Sequence, residues 1–446
     1  MKRAATITPI LFGLFIVLSL TTPSWRYGTF TWWPIWSFDH LAGGPVQIGI
    51  LNTVPLLLLI SWIIVQKRHG TWSWGHPAIT LPLLFFSLWA LVRLVGAPFR
   101  LWFIYGGDFV LVWLTYLYYA NHRPPLRPIL ATVILMQGII GCLQFLLQGD
   151  LGLTALGELP LNPAFAGVTV LRARGEPWLR AYGLTAHPNL YGALLGMCLL
   201  LLIVYRPGTL RQKLPYLLPV LALGLAGLFF SFSRTAWLGA GLGLAVWFIV
   251  ARRGGSGGRP KSYLWLLFPA ILLTLALVTY GDLVTSRFAN LDEPLEARSI
   301  SQRLYDADLA LQLARSSPWL GVGLGRNVDA ALLLGEDAQR VHNVLLLAAA
   351  ELGVPGLLLV LCLLLAPVWA YWRLYRRACY ARAAAGLAPW LMLLVVNQLD
   401  TTLWLTGNWQ TAILFGLAAG NAAYQLQTAI NERPQLPEAA AAVHNA

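Results

Sequence analysis

The sequence predicts an all-α integral membrane protein with about twelve transmembrane helices. Three observations predict it. Of 446 residues, 58% are hydrophobic and 11% are charged, with mean hydropathy +0.65; soluble domains carry about 25% charged residues. Apolar runs near the length needed to span a bilayer, about 20 residues, recur along the whole chain. The remaining charges are sorted by the topology those runs impose.

The first run, 5–22, follows Met-Lys-Arg. No small-residue cleavage site follows it and many more apolar runs do, so it reads as a first helix and not as a signal peptide. Further spans are expected over 46–65, 77–95, 101–120, 127–148, 187–205, 214–231, 235–251, 263–281, 356–372, 386–403 and 409–427. With the N-terminus inside, the inner segments are the two tails and the loops near 66–76, 121–126, 206–213, 252–262 and 373–385. They hold 18 of the 31 Lys/Arg, taking Arg127 with its loop, but only Glu432 and Glu438 of the 18 Asp/Glu. All four lysines (Lys2, Lys67, Lys213 and Lys261) are among them. This is the positive-inside pattern. The net charge of +13 therefore reports orientation, and no nucleic-acid partner is expected. The organisation that follows is nine spans over 1–281 with an outer loop at 149–186, then a large outer loop at 282–355 that contains the helix carrying the candidate site. Spans ten to twelve occupy 356–430, and a cytoplasmic tail fills 431–446.

Several motifs are excluded. Cys142, Cys198, Cys362 and Cys379 lie in or beside apolar runs, which argues against a disulfide framework and against a zinc site. "RRGGSGGRPK" (252–261) lacks the Gly-Lys-Ser/Thr ending and the preceding strand of a phosphate loop, and reads as a flexible linker. "GVGLG" (321–325) reads as a turn. "WRYGTFTWWPIW" (25–36) fits an outer aromatic belt.

The outer side carries arginine and no lysine. The large loop holds Arg287, Arg298, Arg303, Arg315, Arg326 and Arg340, and the earlier loop holds Arg172, Arg174 and Arg180. The planar guanidinium suits bidentate binding of phosphate oxygens and stays charged in a poor dielectric. The pattern points to an outward-facing site for a phosphorylated, membrane-borne ligand. Arg234 in "FSFSRTAWLG" sits in a turn of a few residues between two spans. A charge at that depth is a functional candidate, against the alternative that it snorkels to lipid phosphates. Arg303 falls on an amphipathic loop helix with Leu304, Leu309, Leu311 and Leu313, where an ion pair with Asp306 or Asp308 is the alternative. Arg93 and Asp108 read as a structural pair across the third and fourth spans, and His187 as a helix-entry residue before Pro188.

"QRVHNVLLLAAAELGVPG" (339–356) places His342 near the N-terminus of a helix running to about Leu352. The positive end of a helix disfavours imidazolium, so the neutral, proton-accepting form is favoured. That is the state of a general base; the alternative is an interfacial histidine bonding a carbonyl. Glu351, nine positions on, lies about 180° round the helix at 100° per residue. It reads as a brace for the Gly-Val-Pro-Gly break and not as a partner of His342.

Four segments in order, "RAYGLTAHPNLYG", "SFSRTAWLG", "RLYDADLALQLARSSPWLGVGLG" and "VHNVLLLAAAELGVPGLL", resemble the O-antigen ligase/polymerase family of bacterial envelope glycosyltransferases. The resemblance runs from Arg180 to Gly356. It implies a GT-C-type membrane enzyme of the bacterial inner membrane; with the charge topology, both termini are expected in the cytoplasm and the active site outside. No cluster of outer acids has the look of a metal site and arginines can do the work of a cation, so no metal or cofactor is expected. Such an enzyme takes a glycan from undecaprenyl pyrophosphate and joins it, with inversion, to an acceptor hydroxyl: the lipid A core for a ligase, another carrier-linked glycan for a polymerase. The family's pyrophosphate-binding arginines fall on Arg180, Arg234 and Arg303, with Arg287 and Arg298 as neighbours of the last. Its His-Asn pair falls on His342 and Asn343, with Glu351 in support.

Two other classes remain. A peptidoglycan polymerase would rely on a carboxylate of the large loop, for which Asp329, Glu336 and Asp337 are available. A carrier-lipid flippase would need charges along the membrane midplane and two related halves, whereas the charge here concentrates on the outer side and no repeat stands out.

Overall fold

The computed structural model describes residues 2–21, 34–38, 46–69, 72–173, 175–205, 210–253, 264–289, 294–336 and 339–431. Most of the aromatic stretch at 25–36, most of the linker at 252–261 and nearly all of the tail at 431–446 lie outside the described residues.

Helices form where the apolar runs predict them. They are α1 (Lys2–Leu20), α2 (Ile50–His69), α3 (Pro77–Val92), α4 (Phe99–His122), α5 (Leu126–Leu147), α6 (Pro188–Val204), α7 (Leu210–Phe230), α8 (Arg234–Arg252) and α9 (Leu264–Ala289). The large loop adds α10 (Pro294–Ser316) and α11 (Asn327–Leu333), and α12 (Val344–Arg376), α13 (Tyr380–Leu399) and α14 (Trp409–Asn431) complete the chain. Among the described residues, five of these, α4, α5, α8, α12 and α13, are long and apolar enough to cross a membrane, and five shorter apolar stretches of 10–17 helical residues accompany them. The protein is a mostly helical integral membrane protein. Two short antiparallel hairpins were not foreseen: β1 (Pro34–Phe38) with β2 (Val46–Gly49), and β3 (Val170–Ala173) with β4 (Glu176–Leu179).

Local chemistry starts the helices that matter for the site. His76 and His187 each cap a helix whose first residue is proline, accepting from the backbone N–H two residues on. Ser233 caps α8 by accepting from Ala236 N, and Asn343 caps α12 by accepting from Leu346 N. Such side chains satisfy donors that have no partner inside the helix. Small residues let the spans approach closely. A Cβ on Gly243 of α8 would sit 2.8 Å from the Ala388 carbonyl of α13, and one on Gly420 of α14 would sit 2.6 Å from Tyr119 Cβ of α4.

α12 is broken at Gly353, whose φ of 69° and ψ of −171° are not helical. Pro355 has no N–H to offer the carbonyl of Glu351. The backbone of the preceding loop takes over: Val322 N donates to Ala350 O, Gly323 N to Glu351 O and Val354 N to Pro318 O. The carbonyl of Leu352 accepts from Trp89 Nε1 at 3.0 Å. The first half of α12, carrying the N-terminal His-Asn pair, is thereby fixed to the large loop and to α3.

α10 packs on α12, and its Asp306, Leu309, Ala310 and Leu313 are buried, Leu309 against Ala331 of α11. Leu304 and Leu311, expected on that face, are instead 68% and 39% exposed. The helix is present, but its buried stripe runs through 306, 309, 310 and 313.

Candidate active site

The segments that carry Arg180, Arg303 and His342 meet at the start of α12 and the end of α13. His342 Nδ1 lies 3.3 Å from Asp400 Oδ1, at the C-terminal end of α13. Thr401 N donates to the same oxygen at 2.7 Å. The second oxygen of Asp400 accepts from Asn189 Nδ2 at 2.9 Å, and Asn189 Oδ1 accepts from Arg180 Nη2 at 2.7 Å. Arg180 is buried and also donates from Nε to Ser231 O at 2.8 Å.

This chain has a fixed direction. Arginine can only donate, so it sets the Asn189 amide with its oxygen toward Arg180 and its NH₂ toward Asp400. An ionised Asp400 can only accept, so Nδ1 of His342 carries the proton. The lone pair is then on Nε2, the nitrogen available as a base. Burial alone would raise the Asp400 carboxyl. The hydrogen bond with His342 and the charge of Arg303, joined by the charge of His342 whenever that ring is protonated, outweigh it and hold the group well below the usual carboxylate range.

Arg303 reaches the same place from α10, donating to Leu399 O at 3.4 Å, next to Asp400. The expected alternative, an ion pair with Asp306 or Asp308, is not what the structure has. Asp306 accepts from Gln302 Nε2 and Gln339 N, and Asp308 from Gln312 Nε2. Arg234 stands at the first position of α8, three residues after Ser231, and donates to Arg287 O at 2.7 Å. Asn343 caps α12 and donates to Gln398 O at 3.0 Å, which ties the His-Asn pair to the end of α13.

Glu351 is buried and accepts from Gly325 N at 2.8 Å and from Asn327 N at 3.4 Å. It holds the loop before α11 against the break in α12, while His342 lies before the helix cap at Asn343. Arg340 donates to Thr406 O and to Tyr105 OH. Asp108 does not pair with Arg93: Asp108 Oδ2 accepts from Gly407 N at 2.8 Å, and Arg93 donates to Gly321 O. Sequence order had suggested neighbouring spans as partners, whereas both side chains satisfy backbone groups of distant loops. His187 is the helix-entry residue expected, with Nδ1 accepting from Asn189 N at 3.1 Å.

Among the described residues no group of three or more His, Cys, Asp or Glu side chains is placed to hold a metal ion. The arrangement can accept a proton at Nε2 of His342 while guanidinium groups lie close by, a pairing suited to attack by a hydroxyl with departure of an anion. Residues 219–361 match the family model described as O-antigen ligase. That segment is similar to the O-antigen ligase family. It contains Arg234, Arg303, His342, Asn343 and Glu351, while Arg180, Asn189 and Asp400 join it from outside the matched range. The match supports a ligase- or polymerase-type function. A search of curated proteins found no match.

Asn189 and Asp400 are the two residues that sequence reasoning missed. Asn189 lies in "RAYGLTAHPNLYG", one step inside an apolar helix. Asp400 was enclosed in the span expected over 386–403, although the helix ends at Leu399. An ionisable residue inside a span is a functional candidate by default, and that signal could have found it.

Proposed function

We propose that the protein is an inverting, metal-independent glycosyltransferase of the GT-C type. It moves a glycan from undecaprenyl pyrophosphate to a hydroxyl of the lipid A core. The reaction takes place on the outer face of the bacterial inner membrane, with twelve spans and both termini in the cytoplasm. The observation that carries this reading is the directed chain Arg180–Asn189–Asp400–His342, which reaches into the segment similar to the O-antigen ligase family.

In this reading the acceptor hydroxyl attacks the anomeric carbon as the bond from that carbon to the pyrophosphate oxygen breaks, so the configuration inverts. Nε2 of His342 takes the hydroxyl proton, a role worth about 10²–10⁴ in rate. Arg303 and Arg234 offset the charge that builds on the departing pyrophosphate. Arg180 is buried in the chain that ends at His342, so it supports the base through Asn189 and Asp400. Asn343 and Glu351 hold the backbone that carries the histidine.

The test is to incubate purified protein with a carrier-linked glycan and lipid A core. One discrete product shift, lost in His342→Ala, is expected. A ladder of products formed on carrier-linked glycan would overturn ligation in favour of polymerisation. Full transfer by His342→Ala would overturn the assignment of the base.

A further inference from the structure

The other end of α12 carries a feature independent of the His342 network. From Val354 to Arg373 the helix rises roughly 30 Å, the thickness of a bilayer's hydrocarbon core. There a crevice of about 530 Å³ opens between the C-terminal half of α12 and the first turns of α3, with Leu426 of α14 at its wall. Ala366, Ala370 and the prolines of α3 leave the space between the two helices. Along α12 the lining residues Cys362, Ala366, Ala370, Arg373 and Arg377 recur at three- and four-residue steps, so they share one face.

The two ends of the crevice differ in chemistry. Toward the middle of the membrane it is apolar, with Leu81 and Ala366 near an exposed Cys362. At the helix end it is basic, with Arg373, Arg377 and His76. Cys362 and Arg377 are fifteen positions apart, roughly 22 Å along the helix, about half of a bilayer counted with its headgroups. Trp369 and Trp372, 57% and 54% exposed, mark the headgroup level on this side.

The basic end is free to take a ligand. Arg373 lies over the Trp369 ring at 4.7 Å, and among the described residues neither Arg373 nor Arg377 has a carboxylate partner. His76 accepts from Ala78 N through Nδ1, which leaves Nε2–H as a donor when the ring is neutral. Its burial lowers the imidazole below its ordinary value and favours that neutral form. Arg376, over the Trp372 ring at 5.6 Å, does not line the crevice and is the ordinary snorkelling arginine of this helix end.

We propose that this crevice binds one anionic phospholipid of the leaflet opposite the His342 site. Its phosphate lies among Arg373, Arg377 and His76, and one acyl chain runs past Ala366 and Leu81 toward Cys362. Basic pockets between spans take anionic headgroups in this way, and the apolar wall supplies the rest of the match.

The full-length protein in nanodiscs of phosphatidylethanolamine with added phosphatidylglycerol, read by native mass spectrometry, tests this. Retention of one phosphatidylglycerol is expected. Arg373→Gln and Arg377→Gln should each weaken it about fivefold, the loss expected for one cation near a lipid phosphate. Arg376→Gln should leave it unchanged. Ala366→Phe, with every arginine intact, should weaken it by filling the apolar slot. Equal loss in Arg376→Gln, or equal retention of phosphatidylethanolamine, would overturn the proposal. So would an Ala366→Phe variant that keeps its lipid, or displacement of phosphatidylglycerol by a polyprenyl phosphate.

Discussion

Replacing Asp400 by asparagine changes one oxygen for an NH₂ group, and the donor–acceptor chain has no place to put it. If the NH₂ faces Asn189, it meets the Nδ2 donor that now sits 2.9 Å from Asp400 Oδ2. Rotating the Asn189 amide moves the conflict to Arg180 Nη2, 2.7 Å from Asn189 Oδ1, which cannot accept. If the NH₂ faces His342, it opposes Thr401 N and pushes the ring proton to Nε2, removing the base. Every arrangement loses one buried hydrogen bond to a charged group, about 1.5–3 kcal/mol, or roughly 10- to 150-fold in rate. The arrangement with the wrong tautomer loses the base itself, about 10²–10⁴. We therefore expect Asp400→Asn to lower glycan transfer by about 10²-fold or more, measured on purified protein with carrier-linked glycan and acceptor. The effects should not add, because both residues act on one proton: His342→Ala with Asp400→Asn should be no slower than His342→Ala alone. Wild-type rate in Asp400→Asn, or multiplied losses in the double variant, would refute the reasoning.

Other perturbations have equally definite outcomes. Gly353→Ala should lower stability by more than about 3 kcal/mol. A φ of 69° with ψ of −171° belongs to glycine alone, and the new Cβ would lie 2.5 Å from Trp319 O; thermal unfolding in detergent reads this directly. Arg303→Gln should reduce transfer by about tenfold or more while Arg315→Gln changes it little, since only Arg303 reaches the Asp400 end of α13. The Asp400 carboxyl is depressed in the folded protein, so its stabilising contribution is complete above the unfolded carboxyl value of about 3.9. It is lost as pH falls through the lower folded value. The unfolding midpoint of the wild type should therefore exceed that of Asp400→Asn at about pH 5, roughly one unit above the unfolded carboxyl value, and the gap should narrow under strong acid. Chelation should leave transfer unchanged, and recovery of a lost activity by added Mg²⁺ would count against a metal-independent mechanism.

Most of the architecture was legible because a bilayer demands long apolar runs, and hydropathy shows them directly. The helix starts were legible too, from His187-Pro188 and from the polar-to-apolar change at His342-Asn343. What escaped was pairing across distance. Asp108 meets Gly407 N, 299 positions away, and Arg93 meets Gly321 O, 228 positions away; no periodicity encodes either. Asp400 escaped for a different reason. A hydropathy window averages one carboxylate into "NQLDTTLW", so the span was drawn past the residue that ends the helix. The buried face of α10 was misjudged because Leu304 and Leu311 are apolar yet turned away, and because Asp306 is inside, where its Oδ1 accepts from Gln302 Nε2 and Gln339 N.

The bond between His342 and Asp400 closes over 58 positions of chain, and α12 and α13 lie between them. During synthesis the histidine leaves the ribosome first, without the carboxylate that sets its tautomer. A nascent chain halted before α13 has inserted would leave the histidine without the partner that fixes its tautomer. On the proposed mechanism, competence for transfer would therefore arrive late in biogenesis, coupled to the packing of the last spans.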